Sequence, residues 1–139
     1  TLKEILPVVL ACAVWGPQWF GARVVAHVDN EAAVAVLNSG YSKEAQVMQL
    51  IRSLFFIVAY HQISLSACHI PGTLNGAADA ISRDNLSLFF SLLQVANSQP
   101  APIPSALVAL LVTEQPDWTS AAWSRLFRNC FQQGYQRPR

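Results

Sequence analysis

Charge is scarce in this chain. Only 12% of its 139 residues are Asp, Glu, Lys or Arg, and nine basic against eight acidic side chains leave a net charge of +1. A chain so nearly neutral lacks an overall basic field, so any nucleic-acid footprint must be local. Cysteine is sparse too. Cys12, Cys68 and Cys130 are odd in number and widely spaced, which excludes a closely spaced zinc or redox pair and fits free thiols in a reducing compartment. Charge is missing altogether from residues 53–78 and 85–113, yet Pro, Asn, Gln, Ser or His interrupts both stretches. A spanning helix needs about 20 largely apolar residues in a row, so no membrane span or membrane partner is expected. No charged n-region leads into an apolar core and cleavage site. The expected location is intracellular, cytoplasmic or nuclear, and not secreted. Residue 1 is Thr, not Met, so the chain is expected to be a fragment or a processed product.

What is present is apolar. Hydrophobic residues make up 53% of the chain, a globular composition of single-domain size. Residues Thr1–Trp15 carry Ile5, Val8, Val9, Cys12 and Trp15 at helical spacing, with Thr1 and Glu4 placed as a capping box. Pro7 interrupts that pattern, and an interior proline costs about 3 kcal/mol, so the helix is expected to kink there or to start its regular part there. Gly16-Pro17 ends it. Arg23–Asp29, rich in β-branched residues, reads as a strand covered on both faces. Asn30–Leu37 is expected to be a short helix capped by Asn30, with Gly40 beyond it. Ser42–Tyr60 is a longer helix whose apolar face is Val47, Leu50, Ile51, Leu54, Phe55 and Val58. Gln62–Ile70 is a second strand with Ile63, Leu65, Ala67 and Ile70 toward the core. Pro71-Gly72 is a turn, and Asn75–Ser82 a short helix. Strands separated by helical crossovers predict a parallel pair with flanking helices. Two strands alone make a poor sheet, so further strands are expected upstream. Beyond Arg83 the expectations are a helix over Leu86–Val95, a stiff Pro-rich linker over Asn97–Ser105 and a short helix over Ala106–Val112. A last helix, capped by Asp117 or Thr119, carries an apolar stripe of Trp123, Leu126, Phe127 and Cys130 and leads into a basic tail.

Three carboxylates fall at element ends: Glu4 in the first helical turn, Asp29 at the end of the first strand, and Asp79 on the small-residue helix after the second. In open α/β sheets, sites form at the carboxyl ends of strands. Carboxylates gathered there suit Mg²⁺, which takes few protein ligands and keeps waters and phosphate oxygens. Two such ions about 4 Å apart activate water and stabilise a leaving oxygen. Each residue also has a structural reading: Glu4 as partner in a capping box, Asp29 as a turn residue, Asp79 as a solvated helix residue. Trp15, Trp19 and Phe20 can stack on nucleotides or fill the core. Arg23, Lys43, Arg52 and Arg83 are candidate phosphate contacts or ordinary surface charges. His27, His61 and Cys68 do not show zinc spacing.

The run Leu2-Lys3-Glu4-Ile5-Leu6-Pro7, then Val28-Asp29-Asn30, then His69-Ile70-Pro71-Gly72 with Asn75 and Ala78-Asp79-Ala80-Ile81-Ser82-Arg83 resembles the ribonuclease H domain of retroelement polyproteins. It resembles in particular that of DIRS-type elements, in which a tyrosine recombinase follows. The resemblance covers residues 1–84, with 85–117 similar to the connector and 118–139 leading toward the recombinase. It implies a ribonuclease H-like α/β fold lacking its first three strands, followed by C-terminal helices. It also implies hydrolysis of the RNA strand of RNA–DNA hybrids with two Mg²⁺ (or Mn²⁺) ions in the intact parent. Glu4, Asp29 and Asp79 would be catalytic metal ligands; the family's remaining Asp lies on a strand that would precede Thr1. Asn30, Asn75 and Arg83 would contact substrate, and the partners would be the hybrid and the polymerase and recombinase domains of the same polyprotein. Relatives often have a Gln where Glu31 stands, and some carry a His in the loop before the last helix. Here only Pro71-Gly72-Thr73-Leu74 fills that link, and His69 is expected at the strand end. Two other readings compete: a non-catalytic remnant that binds nucleic acid weakly or not at all, and an interaction module whose C-terminal helices cover the sheet edge or a partner's surface.

Overall fold

The computed structural model describes residues 1–94, 99–103 and 105. In chain order they form helix α1 (Leu2–Trp15), a 3₁₀ turn (Gly16–Trp19), strand β1 (Arg23–Val28), helices α2 (Glu31–Ser39) and α3 (Ala45–Tyr60) and strand β2 (Ser64–His69). A second 3₁₀ turn (Gly72–Leu74) and helices α4 (Gly76–Ser82) and α5 (Leu86–Leu92) follow. The class is α/β, as expected, with one parallel pair of strands among the described residues. The register pairs Arg23 with Ser64 and Val28 with His69. The expected helix over 106–112, the final helix from Asp117 or Thr119, the basic tail and Cys130 lie outside the described residues. Residues 99–103 form neither helix nor strand, as a Pro-rich linker should.

α1 continues through Pro7 without breaking. Proline removes one main-chain donor, and the packed face on both sides of it compensates: Ile5, Val9, Cys12 and Ala13 are all buried, in one continuous core with Val47, Leu50, Ile51, Leu54 and Ile57. Glycine at 16 follows from a close approach rather than from a turn. Its backbone is right-handed helical, but a Cβ there would lie 2.5 Å from the His61 ring.

α2 is capped as anticipated, with Asn30 Oδ1 accepting from the Ala33 N–H at 2.9 Å. It runs two residues past Leu37 and stops at Gly40, whose φ of 68° is left-handed. A side chain there would also meet the Phe55 ring at 2.6 Å. α3 starts three residues later than its apolar pattern suggested. Ser42 Oγ accepts from the Glu44 N–H, and this local turn competes with helix at that point. Its buried face is also rotated: Ile57 is fully buried, whereas Phe55 is 53% exposed and lies over Gly40. α3 ends in a Schellman pattern, Ile63 N–H to Val58 C=O and Gln62 N–H to Ala59 C=O, with Gln62 in the left-handed region.

The sheet corrects one expectation. Among the described residues, β1 is covered on one face only. Val28 is buried and Val24 and Ala26 half-buried, but Arg23, Val25 and His27 are exposed. On β2 Ala67 is buried and Leu65 and Cys68 are half-buried, with buried Ile63 preceding the strand. The two outer edges of the pair differ. Ala67 on β2 offers both main-chain groups outward, and the Asn38 side chain takes both: Ala67 N–H donates to Oδ1, and Nδ2 donates to the Ala67 C=O, each at 2.8 Å. The amide mimics one residue of a third strand and blunts the edge. β1 pairs with β2 alone among the described residues.

Candidate active site

Glu4 occupies the third position of α1, where main-chain donors have no intrahelical acceptor. The Thr1 carbonyl accepts from the Glu4 and Ile5 N–H groups at 3.2 and 3.1 Å. Only half of the expected capping box forms. The Thr1 side chain makes no capping bond, while Glu4 Oε2 lies 2.8 Å from the Thr1 amine as an ion pair. That oxygen is buried and makes no well-aligned hydrogen bond. The ammonium holds the Glu4 carboxyl below its ordinary value; partial burial and the charge of Asp29 push the other way. Glu4 and Asp29 therefore lie within electrostatic reach of each other.

Asp29 follows the last residue of β1 and is exposed. Its Oδ2 accepts from Asn75 Nδ2 at 3.2 Å. This contact ties the C-terminal end of β1 to the start of α4 across 46 residues of chain. Asn75 makes no side-chain cap to α4; its Nδ2 donates to Asp29. Asn30, next in sequence, is committed through Oδ1 to the α2 cap.

Asp79 sits in the first turn of α4. Its Oδ1 accepts from Arg83 Nε at 2.9 Å, one turn on, and both side chains are largely exposed. Arg83 is thus held by its own helix, as an i,i+4 pair. α4 closes with a left-handed Asp84 and the bonds Asn85 N–H to Ala80 C=O and Asp84 N–H to Ile81 C=O.

Among the described residues, no group of three or more His, Cys, Asp or Glu side chains gathers closely enough to hold a metal ion. Asp29 is bonded to the Asn75 amide and Asp79 to Arg83. The donor chemistry of Glu4 and Asp29 suits a hard cation, but the pair alone does not complete a site.

The remaining candidates scatter. Arg23 is at the opposite end of β1 from Asp29, about 20 Å along an extended strand. Lys43 and Arg52 are exposed, the first before α3 and the second on it, and Glu31 is exposed in the first turn of α2. His69 is the exposed last residue of β2, as expected. Trp15 and Trp19 pack as a tilted pair with ring centroids 6.0 Å apart, and Trp19 rests against the core. One contact escaped the sequence reading: Cys68 Sγ lies 3.1 Å from His27 Nδ1. The residues are 41 positions apart, and only the register of a parallel crossover makes them neighbours. Among the described residues no helix is long and apolar enough to cross a membrane. Comparisons of the chain with protein-family models, with curated proteins and with solved structures find no match.

Proposed function

We propose that this chain is part of a ribonuclease H-type nuclease from a retroelement polyprotein of the DIRS type, acting on the RNA strand of RNA–DNA hybrids. The observation that carries the reading is the placing of Asp29 at the carboxyl end of a strand in a parallel pair, within electrostatic reach of Glu4 on the first helix. Open α/β sheets build sites at that end. The Asn75–Asp29 hydrogen bond supports it further, because it draws the start of the Asp79 helix to the same strand end. Two Mg²⁺ or Mn²⁺ ions would supply Lewis acidity and an activated water to such a site. Glu4 and Asp29 would bind cations through hard carboxylate oxygens. Asp79 would join them once Arg83 turned from it to a phosphate, which is where an exposed guanidinium on this helix is useful. Asn75 would hold Asp29 in place and offer its second amide hydrogen to the substrate backbone. Hybrid recognition of this kind rests on backbone and 2′-OH contacts rather than base edges. The reading assigns a fourth carboxylate to sequence upstream of Thr1, and it gives the polymerase and recombinase domains as neighbours in the same polyprotein.

The test is hybrid cleavage by the parent polyprotein in Mg²⁺, compared with Asp29→Asn, Asp79→Asn and Glu4→Gln. Each substitution should lower the rate by roughly 100-fold or more, the scale on which a missing positioned group is felt. Full activity in both Asp variants would overturn the assignment. A second reading, a non-catalytic nucleic-acid-binding or interaction module, is favoured by the separate partners of Asp29 and Asp79. Hybrid binding by the parent without cleavage would support it.

A further inference from the structure

The sheet ends in two edges of unlike kind. Asn38 closes the β2 edge by taking both main-chain groups of Ala67. The β1 edge has no strand beside it among the described residues. Its outward groups follow from the ladder. Ser64 N–H donates to the Ala22 C=O and Ile70 N–H to the Val28 C=O, so the even-numbered residues of β1 turn their main-chain groups toward β2. Successive residues of a strand face opposite sides, and Arg23, Val25 and His27 therefore turn theirs outward. The side chains of those same residues are exposed. A two-stranded sheet is marginal by itself, and a row of unpaired N–H and C=O groups is a template for one more strand.

Charge selects the strand that fits. Residues directly opposite in an antiparallel pair lie on one face of the sheet, so a second β1 must set its exposed residues against exposed residues. Centred on Val25, Arg23 stands opposite the partner's His27, and no opposite charges meet. Centred on His27, Arg23 stands opposite residue 31, which is already in α2. Centred on Ala26, Val25 stands opposite the partner's His27, and Arg23 opposite the partner's Asp29, at both ends of the ribbon. Arg23 makes no ion pair among the described residues, and Asp29 is exposed at the strand end. We propose that the β1 edge binds a second copy of this chain, paired antiparallel about Ala26 and locked in register by reciprocal Arg23–Asp29 ion pairs. Val25 and the partner's His27 exchange main-chain hydrogen bonds, in both directions by symmetry. Both outer edges of the joined sheet are then β2 edges held by Asn38, so growth stops at the dimer. The pairing also gives Arg23, at the far end of β1 from its own Asp29, a carboxylate partner. It needs no nuclease activity.

The test is sedimentation equilibrium of the native chain over a concentration series. A monomer–dimer equilibrium is expected, weakened by salt because the ion pairs lie at exposed strand ends. Arg23→Asp and Asp29→Arg each set like charges opposite one another at both ends of the ribbon, and each variant should self-associate roughly tenfold more weakly. Mixed together, the two variants restore opposite charges at both ends and should pair about as tightly as the wild type. Val25→Pro removes an outward N–H and leaves the β2 ladder intact; it should give a monomer whose circular dichroism matches that of the wild type. A wild-type chain that stays monomeric would overturn the proposal and leave the edge to a strand from elsewhere in the parent polyprotein. Open-ended oligomers of the wild type, or a mixture of the two charge variants that associates no better than either alone, would overturn it as well.

Discussion

The two ends of the described chain hold their helices by different means. α1 and α3 face each other through fully buried Ile5, Val9, Val47, Ile51 and Ile57. α4 and α5 bury far less: Ala80 is the one buried residue of α4, α5 has none, and Ile81, Leu86, Leu88 and Leu92 are exposed. The difference bears on the candidate site. Glu4 and Asp29 are mounted on elements that the core holds rigid. Asp79 rides on a seven-residue helix tied to the rest by the Asn75–Asp29 hydrogen bond. A helix this short is marginal alone, so its ligand is the one whose position depends most on what else packs nearby.

The contrast has measurable consequences. Ile51→Ala should be the most damaging change, losing about 2–5 kcal/mol because it empties a site enclosed on all sides; denaturant unfolding would read this directly. Asn38→Ala comes next. It strands both main-chain groups of Ala67 and should cost about 1–3 kcal/mol for two hydrogen bonds. It should also uncover the β2 edge, so sedimentation should show more self-association. Ile81→Ala, the counterpart of Ile51→Ala on the α4 side, should cost about 1 kcal/mol or less, since half of that side chain already meets water. Equal losses at Ile51 and Ile81 would refute the contrast between the two regions. Arg83→Ala should be smallest, within about 0.5 kcal/mol, because a solvated i,i+4 pair is weak. A thermal midpoint shifted by several degrees would mean that Arg83 anchors α4 to something beyond Asp79.

Much of the fold could be read from the residues. The Asn30 cap with Gly40 beyond α2, the α3 pattern through Val47, Leu50, Ile51 and Leu54, and the parallel pairing implied by helical crossovers all appear in the structure. These are local signals: capping chemistry, periodicity and chain connectivity. The misreadings share a cause too. Phe55 lies on the α3 surface instead of in the core, and Val25 on β1 is exposed among the described residues. Apolar residue type reports what can be buried, and it does not say whether a partner is there to bury it. The candidate site divides in the same way. Glu4, Asp29 and Asp79 stand at element ends as the sequence suggested, and the partners of Glu4 and Asp79 are local, but nothing local announced that Asn75 would reach Asp29.

By itself, then, the sequence determined the order of helices and strands, their caps and stops, and which carboxylates sit at element ends, because those properties arise from interactions within a few residues. Only the tertiary structure decided that Asn38 would close one sheet edge, that Asn75 would reach back to Asp29, and that Cys68 would meet His27. Each of these joins residues 29 to 46 positions apart. Contacts of that kind are fixed by strand register and helix packing, which depend on the whole core rather than on any one segment.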